Sequence, residues 1–262
     1  MNAEPASATY VFCLVESKRA PSVRGAPDSV PGAGPVRTIE IDRGLWAIVA
    51  DAPLHRFSGE ALQQELQDLE ALSRHALAHA SIVECFFQRS PVIPLKLFTL
   101  FSEDERARRQ LRGRATRLRR LFARLRGHEE WGVRITALAA PKPEKGEGGS
   151  MVGRRPAAAS GREYLKVKKR LRMEAPAPPR AVVKELNAVL KALSRLASQT
   201  RADKFPPPTK GRPYVTGASF LVKTQRRAQW KKQAVRLADS IEKHGHRVEI
   251  TGPWPPYHFV SR

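Results

Sequence analysis

The stretch VRTIEIDRGLWAIVAD, residues 36–51, decides the fold class. Its two arms, VRTIEI and LWAIVAD, are rich in β-branched and other apolar residues, and the intervening DRG places Gly44 at the turn. Two such runs joined by a short, glycine-containing connection predict a β-hairpin. Upstream, YVFCLVE at 10–16 has the composition of a buried strand. The beginning of the chain therefore predicts a small antiparallel sheet.

Two helices are predicted to cover this sheet. After Ser58, a favoured N-cap residue, apolar side chains recur every three or four positions, which predicts one amphipathic helix over 58–84. Its predicted buried stripe consists of Leu62, Leu66, Leu69, Leu72, Ala76, Ala80 and Val83. PVIPLKLFTLF (91–101) is predicted to be extended, with Pro94 at a sheet edge because proline donates no ladder hydrogen bond. A second helix is predicted over 104–126, ending before Gly127.

The second half of the chain alternates between predicted strands and helices. EEWGVRITAL (129–138), YVTGASFLVKT (214–224) and HRVEITG (246–252) are predicted strands. A helix is predicted to open near Ser160, to break at EAPAPP (174–179) and to resume over 181–198, and another is predicted over 225–243. This alternation predicts an α+β or α/β layer. We place the domain boundary near Gly127, giving domains 1–127 and 128–262.

The composition indicates the kind of partner and the cellular compartment of the protein. The 262 residues carry a formal net charge of +22, which favours a polyanionic or acidic partner without choosing between them. The two cysteines, Cys13 and Cys85, lie in apolar stretches and are predicted to be free thiols in a reducing cytosol. We find neither a secretory signal nor an apolar run long enough for a bilayer. The sequence therefore predicts a cytoplasmic protein with no membrane partner.

No catalytic chemistry is indicated. His75 and His79 have the four-residue spacing that can bind one metal ion, but HALAH lacks the glutamate of the zinc-protease motif and no third ligand is evident. Ordinary core or surface histidines are the better interpretation, and the same holds for His244 and His246. No nucleophile elbow, phosphate-binding loop or dinucleotide fingerprint is present. We therefore predict no enzyme, no catalytic residue, no cofactor and no metal site.

Arginine-rich segments leave two interpretations open. Residues 106–126 contribute +10 and residues 154–172 contribute +7 of the net +22. Concentrated positive charge is typical of polyanion binders, so a cytoplasmic nucleic-acid-binding protein using these helices is the alternative function. The other interpretation is a solvated helix face in an arginine-rich protein. Because neither an aromatic-studded basic sheet nor a helix-turn-helix spacing is found, nucleic acid is not the expected partner.

Several motifs in fixed order resemble one family. YVFCLVE, LWAIVADAPLHRF, LQDLEALSRHALAHASIVE, PVIPLKLFTLF, GHEEWGVRI, SGREYLKVKKR, SFLVKTQRRAQW and VEITGPWPPYHFV together resemble the gas vesicle accessory proteins of the L/F type. The resemblance covers nearly the whole chain outside the Pro/Gly loops, and EEWGV, GREYL and TGPWPPYHF are its most specific parts. The family pattern often carries a glycine where this sequence has Phe98, and its helix after GREYL is usually uninterrupted.

The resemblance implies a fold and a function. It implies two α+β domains, each a small, mostly antiparallel sheet covered by helices, with a ferredoxin-like C-terminal domain. It implies a non-enzymatic cytoplasmic protein that acts in gas vesicle assembly. Its partners would be the hydrophobic shell protein, which polymerises into ribs, and other accessory proteins.

The last residues form a tail of prolines and aromatics that the resemblance marks as a family signature. Termini are usually polar and frayed, so this composition predicts an ordered segment. Prolines reduce the entropy lost on docking, and aromatic rings bury large areas. We expect either a structural clasp, with Trp254 as main anchor, or a partner-binding segment. The candidate residues are Gly252, Pro253, Trp254, Pro255, Pro256, Tyr257 and Phe259.

Overall fold

A computed structural model describes residues 7–137, 180–202 and 215–260, and these residues divide into two compact units. The first unit comprises residues 1–130 together with 253–262, and the second comprises residues 131–252. The division predicted at Gly127 places the tail in the second domain, whereas its contacts group it with the first unit. As a boundary between independently folding domains, Gly127 stays a prediction.

An antiparallel sheet organises the first unit. Its strands are β1 (Ser7–Glu16), β2 (Arg37–Asp42), β3 (Leu45–Pro53), β4 (Val92–Pro94) and β5 (Leu100–Phe101). The order is β2-β3-β1-β4, and β5 also pairs with β1. The predicted hairpin is confirmed: Asp42 lies opposite Leu45, and Gly44 has a φ of 72°, which suits glycine at a tight turn. Pro94 lies on the predicted edge strand.

Five helices accompany this sheet in the described part of the first unit. They are α1 (Leu54–Phe57), α2 (Gly59–Gln67), α3 (Leu69–Phe87), α4 (Asp104–Arg112) and α5 (Ala115–Leu125). Both long helices predicted here are therefore interrupted. The first breaks at Asp68, whose backbone is extended and whose side chain caps the N-H of Glu70 at 2.9 Å. The second breaks at Gly113 and Arg114.

The predicted buried stripe of the first helical segment is largely wrong, because only Val83 of its seven residues is buried. In α3 the buried side chains are Ala71, His75, His79, Ile82, Val83 and Phe86. Leu66 and Leu69 are exposed instead. Because α3 carries apolar residues on both sides, periodicity alone does not predict which side faces the core. The side that contains Ile82, Val83 and Phe86 buries more area against Tyr10 and Phe12 of β1, which belong to the same core.

An ion-pair cluster joins α4 to the first sheet. Arg37 in β2 donates to both carboxylate oxygens of Asp104 at 2.7 and 2.9 Å and to Asp51 in β3 at 2.5 Å. Thr9 in β1 also donates to Asp104, at 2.7 Å. The Arg37 guanidinium is the main reason that the pKa of Asp104 is lowered. One carboxylate at the start of α4 thus connects this helix to β1 and β2.

The second unit has the ferredoxin-like arrangement. Its described elements are β6 (His128–Ala137), α6 (Arg180–Ser194), β7 (Gln199–Ala202), β8 (Val215–Lys223), α7 (Arg227–Glu242) and β9 (His246–Trp254). The strand order is β7-β8-β6-β9. A β-α-β-β-α-β succession with this order defines the ferredoxin-like layer. The two-domain α+β fold class is therefore confirmed.

Aromatic rings fill the core of the second unit. Trp230 on α7 lies 5.5 Å from Trp131 and 5.4 Å from Phe220, measured between ring centroids. Leu186 and Leu193 of α6 are buried in the same cluster. Strand β7 was not predicted, because QTRA is short and polar. The predicted helix near Ser160 and its break at 174–179 lie outside the described residues.

Candidate protein-binding surface

The tail comprises residues 252–260, and from Pro253 onward it belongs to the first unit. Gly252 has a φ of 121°, a conformation that other residues rarely adopt, and residues 257–259 form one turn of 3-10 helix. Pro255, Pro256 and Phe259 are buried, and Tyr257 packs against the core of the first sheet. Pro253 and Trp254 remain exposed, and Gly252 is half-buried. The predicted tail residues thus divide into a buried part and an exposed part.

Two charged side chains hold the end of the tail. The buried carboxylate of Glu130 accepts hydrogen bonds from the backbone N-H of His258 at 2.9 Å and from its Nδ1 at 2.5 Å. Arg124 of α5 donates to the carbonyl oxygen of Phe259 at 2.7 Å. Neither residue is predicted from the sequence to hold the tail. The sequence offers little signal, since Glu130 follows another glutamate in HEEWGVRITA, a strand in which half of the residues are polar.

Phe259, rather than Trp254, is the deepest aromatic side chain of the tail. Its exposed fraction is 0%, whereas that of Trp254 is 41%. Our expectation of Trp254 as the main anchor rested on its ring area, which counts only when the ring is removed from water. The attachment of the tail to the first unit therefore depends on Phe259, Pro255 and Pro256.

Half of the ten arginines in 106–126 bind oxygen atoms of the first unit itself. Arg108 and Arg112 donate to the carbonyl oxygens of Glu40 and Ile41, at 3.3 and 2.9 Å. Arg119 binds Asp42 at 2.8 Å and is the main reason that the pKa of Asp42 is lowered. The remaining two are Arg124, described above, and Arg126, which pairs with Glu16. These five arginines connect α4 and α5 to the first sheet and to the tail, so their charges stabilise the first unit.

The other arginines of α4 and α5 have no carboxylate partner among the described residues. Among the described residues, none provides Arg106, Arg109, Arg117 or Arg120 with a carboxylate in contact. Arg117 and Arg120 instead line an open cleft of about 520 Å³ together with Arg124, Leu121 and Val260. We call this the arginine cleft. The second basic segment, 154–172, lies outside the described residues.

Two leucines on the outer side of α3 are open to solvent, beside the exposed polar residues Glu70, Ser73 and Arg74. Leu69 has an exposed fraction of 76% and Leu77 of 69%. Ala76, between them, is also exposed. Single exposed leucines are common in soluble proteins, but two on one side of a helix that carries apolar residues on both sides form a patch of the kind used in protein contacts.

The histidines of α3 are core residues. The Nε2 of His79 lies 3.2 Å from the carbonyl oxygen of Leu95, which can only accept, so this nitrogen carries the hydrogen. Its Nδ1 then accepts from the hydroxyl of Tyr10 at 2.9 Å. Burial lowers the pKa of His79 to about 4, which keeps the ring neutral. His75 lies 2.6 Å from Glu65 through its Nε2.

Metal-binding clusters and membrane-spanning helices are both absent from the residues that the structure describes. The part of the chain that the structure describes contains no cluster of three or more His, Cys, Asp or Glu side chains able to hold a metal ion. No helix within the described ranges has the length and apolar character that crossing a membrane requires. Cys13 is buried, Cys85 is half-buried, and both are free thiols.

Phe98 has an unusual backbone conformation. Its φ of 58° is the only positive value at a non-glycine residue in the described ranges. Its N-H donates to the Tyr10 hydroxyl at 3.2 Å, and its ring lies 5.2 Å from that of His75. A left-handed residue is the place where glycine is favoured, so this conformation agrees with the glycine that the resemblance implies at this position.

Two solved structures have the same fold. The crystal structure of the gas vesicle protein GvpF from Anabaena sp. PCC7120 aligns with a TM-score of 0.64 at 16% identity, covering 98% of this chain and 97% of that one. The crystal structure of GvpF from Microcystis aeruginosa gives a TM-score of 0.64 at 15% identity, covering 97% and 99%. Both comparisons show that this chain shares the fold of these proteins.

Sequence comparison gives the family. The family described as gas vesicle synthesis protein GvpL/GvpF matches residues 8–261. Gas vesicle protein L from a Streptomyces species (strain CB03234) is 30% identical over 224 residues, which cover 83% of this chain and 80% of that protein. The chain belongs to the GvpL/GvpF family of gas vesicle proteins. The resemblance stated from the motifs is thereby confirmed.

Proposed function

We propose that this protein is an assembly factor for gas vesicles, which binds the hydrophobic shell protein, other accessory proteins, or both during nucleation and growth. The observation that carries this proposal is the family match over residues 8–261. The protein works in the cytoplasm and at the growing vesicle. It acts by binding and not by catalysis.

The use of its buried polar groups supports a binding role. His79 is neutral and hydrogen-bonded to Tyr10 and Leu95. Glu130 holds the tail through His258. A general acid or base must reach a substrate from a pocket, and these groups are occupied in holding the fold.

Deletion of the gene tests the proposal. In cells that form gas vesicles, we expect deletion to abolish or shorten the vesicles while the shell protein remains present. Electron microscopy measures vesicle number and length, and an immunoblot measures shell protein. Restoration of vesicles by a plasmid copy is the control. Normal vesicles in the deletion strain, with no paralogue present, would contradict an assembly role.

The outer side of α3 is the surface that we assign to the shell protein. A hydrophobic partner gains most from apolar side chains that are exposed before binding and covered afterwards. Leu69 and Leu77 have this property in the free protein. Their exposure also makes the assignment testable, because changing them leaves the core intact.

Replacing both Leu69 and Leu77 by Gln should reduce vesicle yield without affecting stability. Each substitution at an exposed position changes the free energy of unfolding by only about 0.5 kcal/mol. Thermal melts check stability, and complementation of the deletion strain checks function. A double change at two less exposed apolar positions, Leu54→Gln with Val235→Gln, is the matched control. Equal vesicle yields from both double variants would contradict the assignment.

A further inference from the structure

The described lining of the arginine cleft combines three cations with two aliphatic side chains. Arg117, Arg120 and Arg124 follow one another at spacings of three and four along α5, so they share one side of that helix. Leu121 and Val260 supply the apolar surface. Between Arg117 and Arg124 the helix backbone rises by about 10 Å.

The cleft is assembled from two separate parts of the chain. Four of its five described residues come from α5, and Val260 comes from the tail. The tail is held there because Arg124 donates to the Phe259 carbonyl oxygen. Arg124 is therefore partly occupied, whereas no described residue offers Arg117 or Arg120 an acidic partner. The two free guanidinium groups are the ones available to a ligand.

The positive charges of this cleft favour a ligand that carries carboxylate groups. Arginine binds carboxylates through paired, parallel hydrogen bonds, and these charge-assisted contacts are stronger than neutral ones. Aliphatic side chains beside such cations suit a ligand side chain such as leucine. Proteins that bind single-stranded nucleic acid without sequence preference place aromatic rings in the groove for base stacking, and the described side chains that line this cleft are arginine, leucine and valine.

We propose that the arginine cleft binds an acidic segment of a partner protein, in which carboxylates about one to two helical turns apart flank an apolar side chain. This inference rests on the proposed function in one respect, since the partner would be another protein of the vesicle assembly. The neighbouring arginines Arg106 and Arg109 on α4 increase the local positive charge but lie outside the cleft. They provide the comparison that separates a defined site from general attraction.

The binding test uses the full chain and a fluorescein-labelled peptide of repeated Glu-Glu-Leu, 15 residues long. Fluorescence anisotropy should show binding to the wild type. The double variant R117Q/R120Q should weaken it at least tenfold. The control R106Q/R109Q removes the same charge from exposed positions on α4 and should weaken it less than about threefold. Thermal melts establish that both variants are folded.

Three outcomes would overturn the inference. Equal weakening in the two double variants would mean diffuse electrostatic attraction. Equal affinity for a Gln-Gln-Leu peptide would mean that carboxylates are not recognised. Tighter binding of a 15-nucleotide oligouridine, lost in R117Q/R120Q, would make the cleft a nucleic-acid site.

Complementation separates this inference from the proposed function. In the deletion strain, R117Q/R120Q should give fewer vesicles than R106Q/R109Q at equal protein level. Wild-type vesicle yield from R117Q/R120Q would overturn the role of the cleft. The proposed function would still stand, because it is tested by the deletion itself.

Discussion

Replacing Phe259 by alanine should lower the free energy of unfolding by about 3–5 kcal/mol, the range for emptying a buried aromatic site. The ring has no exposed surface, and the chain on either side is held by Glu130 and Arg124. Against a total stability of roughly 5–15 kcal/mol, such a loss is large. Urea denaturation followed by circular dichroism measures it directly.

Trp254 provides the matched comparison for this experiment. Although its ring is larger than that of Phe259, 41% of the side chain is exposed, so Trp254→Ala should cost about 1 kcal/mol or less. If the exposed ring contacts a vesicle protein, this variant keeps its stability and loses that partner in a pull-down. A Trp254→Ala variant that unfolds as easily as Phe259→Ala would show that the exposed ring carries the tail, contrary to this prediction.

Acidification from pH 6.5 to pH 4 should remove about 3 kcal/mol of stability through His79. The pKa of this histidine is about 4 in the folded protein, compared with an ordinary value of 6.5. Between these values the unfolded chain binds the proton and the folded chain does not, so stability falls as the pH falls. The full contribution is present above pH 6.5, and no further loss from this group occurs below pH 4.

The structural cause of this acid sensitivity is the pair of hydrogen bonds at the ring. Protonation would place a hydrogen on Nδ1, which now accepts from Tyr10, while Nε2 already donates to Leu95. It would also put a charge beside the rings of Tyr10 and Phe12, whose centroids lie 5.8 and 5.5 Å away.

The variant His79→Gln isolates this contribution. It should be less stable than the wild type at pH 7, but its free energy of unfolding should depend less on pH, by up to about 1.4 kcal/mol per pH unit between 4 and 6.5. Urea midpoints at several pH values give the comparison. Carboxylates titrate in both proteins, so their contribution cancels in the difference between the two pH profiles. Parallel pH profiles for the two proteins would contradict the assignment to His79.

The strands could largely be predicted from the sequence because their signals are local. The hairpin around Gly44, the edge position of Pro94 and the strands beginning near Glu129, Val215 and His246 all follow from composition and turn residues. The short strand β7 lacks such a signal, since QTRA has neither alternation nor β-branched residues in number. The ferredoxin-like order came from the family resemblance and not from the strand pattern.

The packing choices could not be predicted, because they depend on contacts distant in sequence. On α3, two apolar sides compete, and only the aromatic residues of β1 decide that His75 and His79 face inward while Leu69 faces water. In the tail, composition indicates order but cannot tell which ring is buried. Glu130 and Arg124, which hold it, stand 128 and 135 residues away from their partners.

The assignment of the tail to the first unit has a consequence for synthesis of the protein. The ribosome releases the amino-terminal part first, and domains generally fold as they emerge. Here residues 1–130 lack Pro255, Pro256 and Phe259 until 122 further residues, 131–252, have been translated. The second unit is continuous in sequence and can complete its core earlier. The amino-terminal half of the nascent chain is thus the last to close, and until then it leaves an apolar site open to chaperones.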